Sequence, residues 1–131
     1  MGFLIHTVEG GYVPAFEYLP ASAITPKLGL ALKLSSGQLA IASGTDKPEF
    51  ISMCERSDAL TAGDIIPVIR VTDDITFGVP AQAAMTSVSI GAKVTLHTDG
   101  LQVTATTTSG TAEIVGREGT AAGDMQYVRF H

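Results

Sequence analysis

The sequence predicts an all-β protein: a small β-barrel or β-sandwich built from two tandem repeats of one β unit and preceded by an extended N-terminal arm. The chain contains 14 Gly and no Trp, and its many Thr, Val and Ile suit short strands joined by tight turns. A strand–turn–strand pattern at residues 28–41 recurs at 90–103, and each copy runs on to an Ala-Gly-Asp triplet, at 62–64 and 122–124. Self-similarity at a nearly constant spacing indicates a repeated structural unit.

The length of the chain fits one domain. Its 131 residues, of which 45% are hydrophobic, can bury a single core. We assign residues 1–26 to the extended arm and residues 27–131 to a single β domain. Within that domain the repeat units cover about 27–77 and 86–131.

Residues 1–26 combine Gly, Pro and aromatic side chains without the period of a strand or a helix. We therefore expect an extended arm rather than a strand pair. Tyr12, Phe16 and Tyr18 are its aromatic residues of interest, and aromatic side chains contribute most per residue at protein interfaces. They are the candidate partner-binding residues. An arm of this kind can dock on another subunit or pack on its own domain, and the sequence leaves both open.

The first repeat begins with leucines at every second position of residues 28–34, a period of two that predicts a strand with one buried face. A turn at 35–37 leads into a second strand over 38–42. After a polar loop, residues 49–54 predict the return strand. Residues 55–62 are too few for more than one or two helical turns.

Residues 65–71 predict a further strand. Pro67 lies inside it and cannot donate to a ladder, so part of this strand is expected at an edge or a bulge. The chain then continues extended to Gly78, and residues 79–85 are expected to cross over to the second repeat.

The second repeat follows the same order. Residues 93–97 alternate, 98–100 form a strong hairpin turn, and 101–105 predict the answering strand. Residues 112–115 correspond to the return strand of the first repeat, and 125–130 to the strand after Ala-Gly-Asp.

We find no constellation of residues that predicts catalysis or metal binding. His6, His97 and His131 have no His or Cys two or four positions away, which is the spacing that recurs in metal sites. Asp73 and Asp74 are adjacent in an extended segment, so their side chains point to opposite faces. We therefore expect no catalytic residue, no cofactor and no metal, and predict that the protein is not an enzyme.

The Gly-Asp pairs at 63–64 and 123–124 are interpreted as turns. Glycine supplies the unusual backbone angle, and the aspartate caps nearby N–H groups. A structural role is favoured over catalysis for Asp64 and Asp124.

Charge and hydropathy exclude further classes of partner. Eight basic and thirteen acidic residues give a formal net charge of −5, and no Lys/Arg cluster could neutralise adjacent phosphates, so nucleic acid is not an expected ligand. No apolar run approaches the roughly 20 residues that span a bilayer, so no membrane association is expected. The lone Cys54 cannot form an intrachain disulfide, which is compatible with a reducing cytoplasm.

Residues 33–51 comprise an apolar strand, a short turn of the form Gly-x-Leu and a Gly-Thr-Asp-x-Pro loop before a second strand. This stretch, with the Ala-Gly-Asp strand entries at 62–68 and 122–124, resembles the head-decoration or capsid-cement proteins of tailed bacteriophages.

The resemblance implies a β module that is made in the cytoplasm of a host bacterium and sits on the outer surface of the virion head. It also implies a homo-oligomer, often a trimer, that clamps neighbouring major capsid subunits, and an N-terminal arm that orders on the capsid. The major capsid protein is thus the expected partner.

A second interpretation is a β-sandwich module that binds carbohydrate or a cell-surface ligand. The absence of Trp weighs against it, because aromatic rings usually stack on sugar faces, and outside the arm only Tyr127 offers a tyrosine ring.

Overall fold

The computed structural model describes residues 2–131 and consists of β-strands joined by turns and loops. The strands are β1 (Leu4–Val8), β2 (Phe16–Pro20), β3 (Ala31–Ser35), β4 (Gln38–Ile41), β5 (Phe50–Ser52), β6 (Ile65–Arg70), β7 (Ile75–Pro80), β8 (Lys93–Val94), β9 (Ala112–Arg117) and β10 (Met125–Phe130). A 3-10 turn at Glu9–Gly11 is the one helical element in residues 2–131. The predicted all-β class is confirmed. Within this part of the chain no helix has the length and apolar character needed to cross a membrane.

The strands form two antiparallel five-stranded sheets. Sheet I has the order β2-β6-β5-β3-β4, and sheet II has the order β1-β7-β10-β9-β8. Neither sheet closes into a barrel, so the barrel alternative is wrong. Each sheet curls toward itself. In sheet I a single parallel bridge joins Ala21 to Leu39, and in sheet II a single parallel bridge joins Ala81 to Val103, but neither bridge extends into a paired strand.

A shared hydrophobic core joins the two sheets. Ile51 and Ile69 of sheet I are buried in the same cluster as Phe77 and Val128 of sheet II. The neighbouring residue Phe50 points the other way, into a second cluster inside the curl of sheet I. Alternation along the strand thus supplies both clusters, since successive side chains point to opposite faces.

The same backbone hydrogen bonds occur at corresponding positions of the two sheets. The Ala21 amide donates to the Asp64 carbonyl (2.8 Å), and the Ala81 amide donates to the Asp124 carbonyl (3.1 Å). The bonds from the Gly63 amide to Ala21 and from the Gly123 amide to Ala81 likewise match, at 2.8 and 2.7 Å. Each pair ties the residue that follows β2 or β7 to an Ala-Gly-Asp turn.

The N-terminal segment takes part in both sheets, and its two strands were missed by the sequence prediction. β1 pairs with β7 in sheet II, and β2 pairs with β6 in sheet I. Phe3 is 1% exposed, and its ring centroid lies 6.5 Å from that of Phe77 and 5.7 Å from that of Phe130. These residues are therefore part of the folded domain rather than a separate arm.

Pro67 lies in a central strand, contrary to the predicted edge or bulge position. β6 is paired on both sides, with β2 and with β5. Pro67 has no N–H, and an amide at this position would donate to Met53. Met53 lies just beyond the end of β5 at Ser52. The missing hydrogen bond therefore falls where the ladder already stops.

The boundary between the sheets differs from the predicted boundary between the repeats. Residues 75–77 were placed in the first repeat, but β7 belongs to sheet II together with β8, β9 and β10. A run of extended residues carries no local mark of the sheet it will join, since its partners are distant in sequence.

Candidate partner-binding surface

Phe16 and Tyr18 lie on the same face of β2, the face of sheet I that also carries the buried Ile69 opposite Phe16. They alternate with Glu17 and Leu19, and their side chains are 48% and 65% exposed. Pro67 lies opposite Tyr18, and Ile65, opposite Pro20, is 55% exposed. We call Phe16, Tyr18 and Ile65 the β2 face. Clustered exposed apolar side chains at neighbouring strand positions are typical of a protein-binding surface.

The opposite side of β2 anchors the strand to the domain. Leu19 packs against the hydrophobic cluster inside sheet I. Glu17 accepts two hydrogen bonds from the Arg70 guanidinium, at 3.0 and 2.9 Å, and the Arg70 guanidinium carbon lies 4.8 Å from the centroid of the Phe50 ring. The exposed rings of the β2 face are thus carried by a strand whose other face is fixed.

Tyr12 is held separately from the β2 face. It lies before β2, its side chain is exposed, and its hydroxyl donates to the Asp74 carboxylate (2.8 Å). No ring pairing links Tyr12 with Phe16 or Tyr18 in residues 2–131. The structure therefore brings together two of the three predicted partner-binding residues and ties the third to the start of β7.

Hydrogen bonds from the Thr72 hydroxyl, first, and the Tyr12 hydroxyl lower the pKa of Asp74. The carboxylate is the form that accepts these bonds, so they favour the charged state. The resulting stabilisation is present above the ordinary pKa of the carboxyl group and is lost as the pH falls through the lowered pKa.

We expect Thr72→Val and Tyr12→Phe each to raise the pKa of Asp74, the first more than the second. Each variant removes one hydroxyl donor to the carboxylate and leaves a side chain of similar size. The measurement is an NMR titration of the Asp74 carboxyl carbon, with Asp58 as the internal control. A pKa that Tyr12→Phe leaves unchanged would show that the ring of Tyr12 is not fixed by Asp74.

Ile65 was not predicted as a surface residue. The sequence suggested a buried strand over 65–71, because the run is almost wholly apolar. Alternation could not have found it, because Ile65 shares its face of β6 with the buried Ile69, while Ile66 and Val68 are buried on the other face.

The predicted turn role of Asp64 and Asp124 is confirmed. Gly63 and Gly123 have φ of 98° and 89°, in the region that glycine tolerates. The Asp64 carboxylate accepts from the Thr61 amide and the Asp124 carboxylate from the Ala121 amide, both at 3.0 Å.

The other polar side chains singled out by the sequence lie in separate parts of the two sheets. Within residues 2–131, no group of three or more His, Cys, Asp or Glu side chains could hold a metal ion. His6 stacks on Tyr127 with ring centroids 4.0 Å apart, and His131 pairs with Glu113 at 2.6 Å. A hydrogen bond to Glu118, followed by burial, raises the pKa of Tyr127.

No model of a known protein family and no curated protein sequence matches the chain.

Proposed function

We propose that the protein is a non-enzymatic structural protein that decorates and stabilises the outer surface of a tailed-phage or prophage capsid by binding major capsid subunits. It acts there as a homo-oligomer, with a trimer favoured, and its location is the virion after synthesis in the host bacterial cytoplasm. The proposal comes from the resemblance of residues 33–51, 62–68 and 122–124 to capsid-cement proteins.

The β2 face is the observation that carries the proposal. Phe16 and Tyr18 expose about half or more of their surface although their strand is anchored on its other side by Leu19 and by the Glu17–Arg70 pair. A monomeric protein gains nothing from keeping such rings in water, whereas aromatic anchors dominate the binding energy of protein interfaces. Tyr12 adds a third ring beside β7.

We also infer that the chain consists of two tandem β units. The matched hydrogen bonds at Ala21 and Ala81, and the equivalent turns before Asp64 and Asp124, support this. On these matches the units cover about residues 16–70 and 75–130, rather than 27–77 and 86–131. β1 is then an addition to the second unit.

The carbohydrate-binding alternative has less support. Tyr127, the one tyrosine outside the N-terminal segment, has its ring stacked on His6 and its hydroxyl bonded to Glu118. A sugar would have to displace the His6 ring in order to stack on that face.

The proposed function is tested by co-sedimentation with undecorated heads of the phage or prophage whose genome carries the gene. We expect Phe16→Ala and Tyr18→Ala each to weaken attachment by about 1–3 kcal/mol, as for a buried aromatic anchor. The control is Ile90→Ala, because Ile90 is 57% exposed and lies outside both β2 and β6. Thermal melts of all variants should coincide.

Failure of the wild-type protein to sediment with heads would contradict the capsid-binding proposal. Equal attachment of wild type, Phe16→Ala and Tyr18→Ala would retain capsid binding but remove the β2 face from the interface.

A further inference from the structure

One side of the β2 backbone has no partner strand. Tyr18 lies opposite Pro67, which has no amide hydrogen and whose carbonyl accepts from the Met53 amide at 3.0 Å. Tyr18 therefore makes no ladder bond to Pro67, and the alternation of an antiparallel ladder points the N–H and C=O groups of Phe16 and Tyr18 away from β6. In residues 2–131, β6 is the one strand that pairs with β2.

The corresponding side of β7 is covered by a strand. β1 pairs antiparallel there, with Leu4 opposite Gly78 and Val8 opposite Ile75. Gly78 precedes the bridged Ala81 by the same distance in sequence as Tyr18 precedes the bridged Ala21. The edge of β7 in sheet II is therefore covered by β1, whereas the corresponding edge of β2 in sheet I has no added strand.

The open edge of β2 is limited to residues 16–19, because Pro20 has no outward amide and Ala21 is bridged to Leu39 of β4. The outer strand of sheet II, β1, shifts register between Ile5 and Thr7, which disrupts its edge for further pairing, and β8 has two residues. β2 pairs with β6 in an unbroken register over its full length, Phe16–Pro20. A regular edge strand with exposed aromatic side chains is a template for strand addition.

The net charge of the chain and the composition of β1, which pairs with β7, indicate what kind of segment could pair with the edge of β2. A second copy would bring another chain of formal net charge −5 against a chain of the same charge, which is unfavourable. β1 has the sequence Leu-Ile-His-Thr-Val, with no acidic residue. The fitting occupant is therefore an extended, largely apolar segment that carries no acidic residue and has basic flanks.

We infer that the free edge of β2 binds such a segment of another protein as an added antiparallel strand. The backbone of Phe16 and Tyr18 supplies the hydrogen bonds, and the rings of the β2 face contact alternate side chains of the segment. This rests on the proposed function, in which the segment belongs to a capsid subunit.

The matched variants Tyr18→Ala and Tyr18→Pro separate the backbone from the ring. Both lack the tyrosine ring, and only Tyr18→Pro also lacks the outward amide. Proline is tolerated where a strand N–H faces solvent, so a melt should show both variants folded. We expect Tyr18→Pro to bind undecorated heads about tenfold more weakly than Tyr18→Ala. The proline removes one hydrogen bond between neutral backbone groups and disturbs the geometry of the strand.

Hydrogen–deuterium exchange gives a second measurement that needs no variant. The amides of residues 15–19 should exchange at least about tenfold more slowly in the head-bound protein than in the free protein. A synthetic peptide of residues 2–8, acetylated and amidated, serves as a probe without heads, and we expect it to shift the NMR signals of the Phe16 and Tyr18 amides.

Attachment to heads without protection of residues 15–19, or with equal binding by folded Tyr18→Ala and Tyr18→Pro, would overturn the inference but leave capsid binding standing. Heads that do not bind, together with a peptide that pairs at 15–19, would overturn the proposed function and support the open edge. If the heads do not bind and the peptide does not affect residues 15–19, both fail. Protection of 15–19 in the free protein that increases with its concentration would show a second copy at the edge and overturn the inference.

Discussion

Replacing Phe3 with Ala is expected to lower the free energy of unfolding by about 3–5 kcal/mol, the usual cost of truncating a buried phenylalanine. The ring is almost fully buried and packs on Phe77 and Phe130 in the core shared by both sheets. The loss is a large part of the roughly 5–15 kcal/mol that stabilises a typical domain. The measurement is equilibrium unfolding in urea.

Leu4→Ala is the matched control for Phe3→Ala. Leu4 is the next residue along the chain, in β1, and its side chain is exposed. We expect a change within about 0.5 kcal/mol, as for surface substitutions in general. If Phe3→Ala were as mild as Leu4→Ala, the ring of Phe3 would not contribute to the stability of the core.

The second large effect is expected at Gly29, with Gly91 as its comparison. The two glycines have φ of 86° and 94°, and their amides donate to the corresponding carbonyls of Ser52 and Ile114, at 2.9 and 2.7 Å. An added Cβ is strained at both positions by about 1–2 kcal/mol. At Gly29 it would also lie 2.8 Å from the Phe3 amide nitrogen, whereas at Gly91 it would meet nothing within 4 Å.

We therefore expect Gly29→Ala to destabilise the protein by about 1–3 kcal/mol more than Gly91→Ala, because only the first forces the backbone at Phe3 to move. Urea unfolding of both variants measures the difference. Equal losses would mean that the N-terminal segment yields to the methyl group at little cost, and would argue against tight docking of Phe3.

Sequence patterns predicted several strands and turns correctly, but residues 101–105, expected as the answering strand of the second hairpin, form only isolated bridges at Val103. β10 occupies the predicted residues 125–130, and the turn between β3 and β4 falls at Ser36 and Gly37, both with positive φ. The hairpin turn at Gly100 also has positive φ. In these places the backbone requirement is local, so a few adjacent residues are enough to reveal it.

The N-terminal strands could not be predicted in the same way. β1 contains no alternation, since four of its five residues are exposed, and its pairing partner lies about seventy residues away at β7. The burial of Phe3 likewise depends on Phe77 and Phe130. The alternation of side chains along a strand does predict that Phe16 and Tyr18 lie on one face of β2. Their exposure depends on which strands cover that face, and the local sequence does not determine this.

The division of the N-terminal segment between two sheets also sets an order of assembly. As the chain leaves the ribosome, all the strands of sheet I, β2 to β6, are available once residue 70 has emerged, whereas β1 must wait for β7 and Phe3 must wait for Phe130. Domains fold as their parts are synthesised, and pairings distant in sequence form slowly. Residues 3–8 are therefore translated before sheet I but are among the last of the described residues to reach their native positions, and until then an apolar strand and a phenylalanine remain accessible to chaperones.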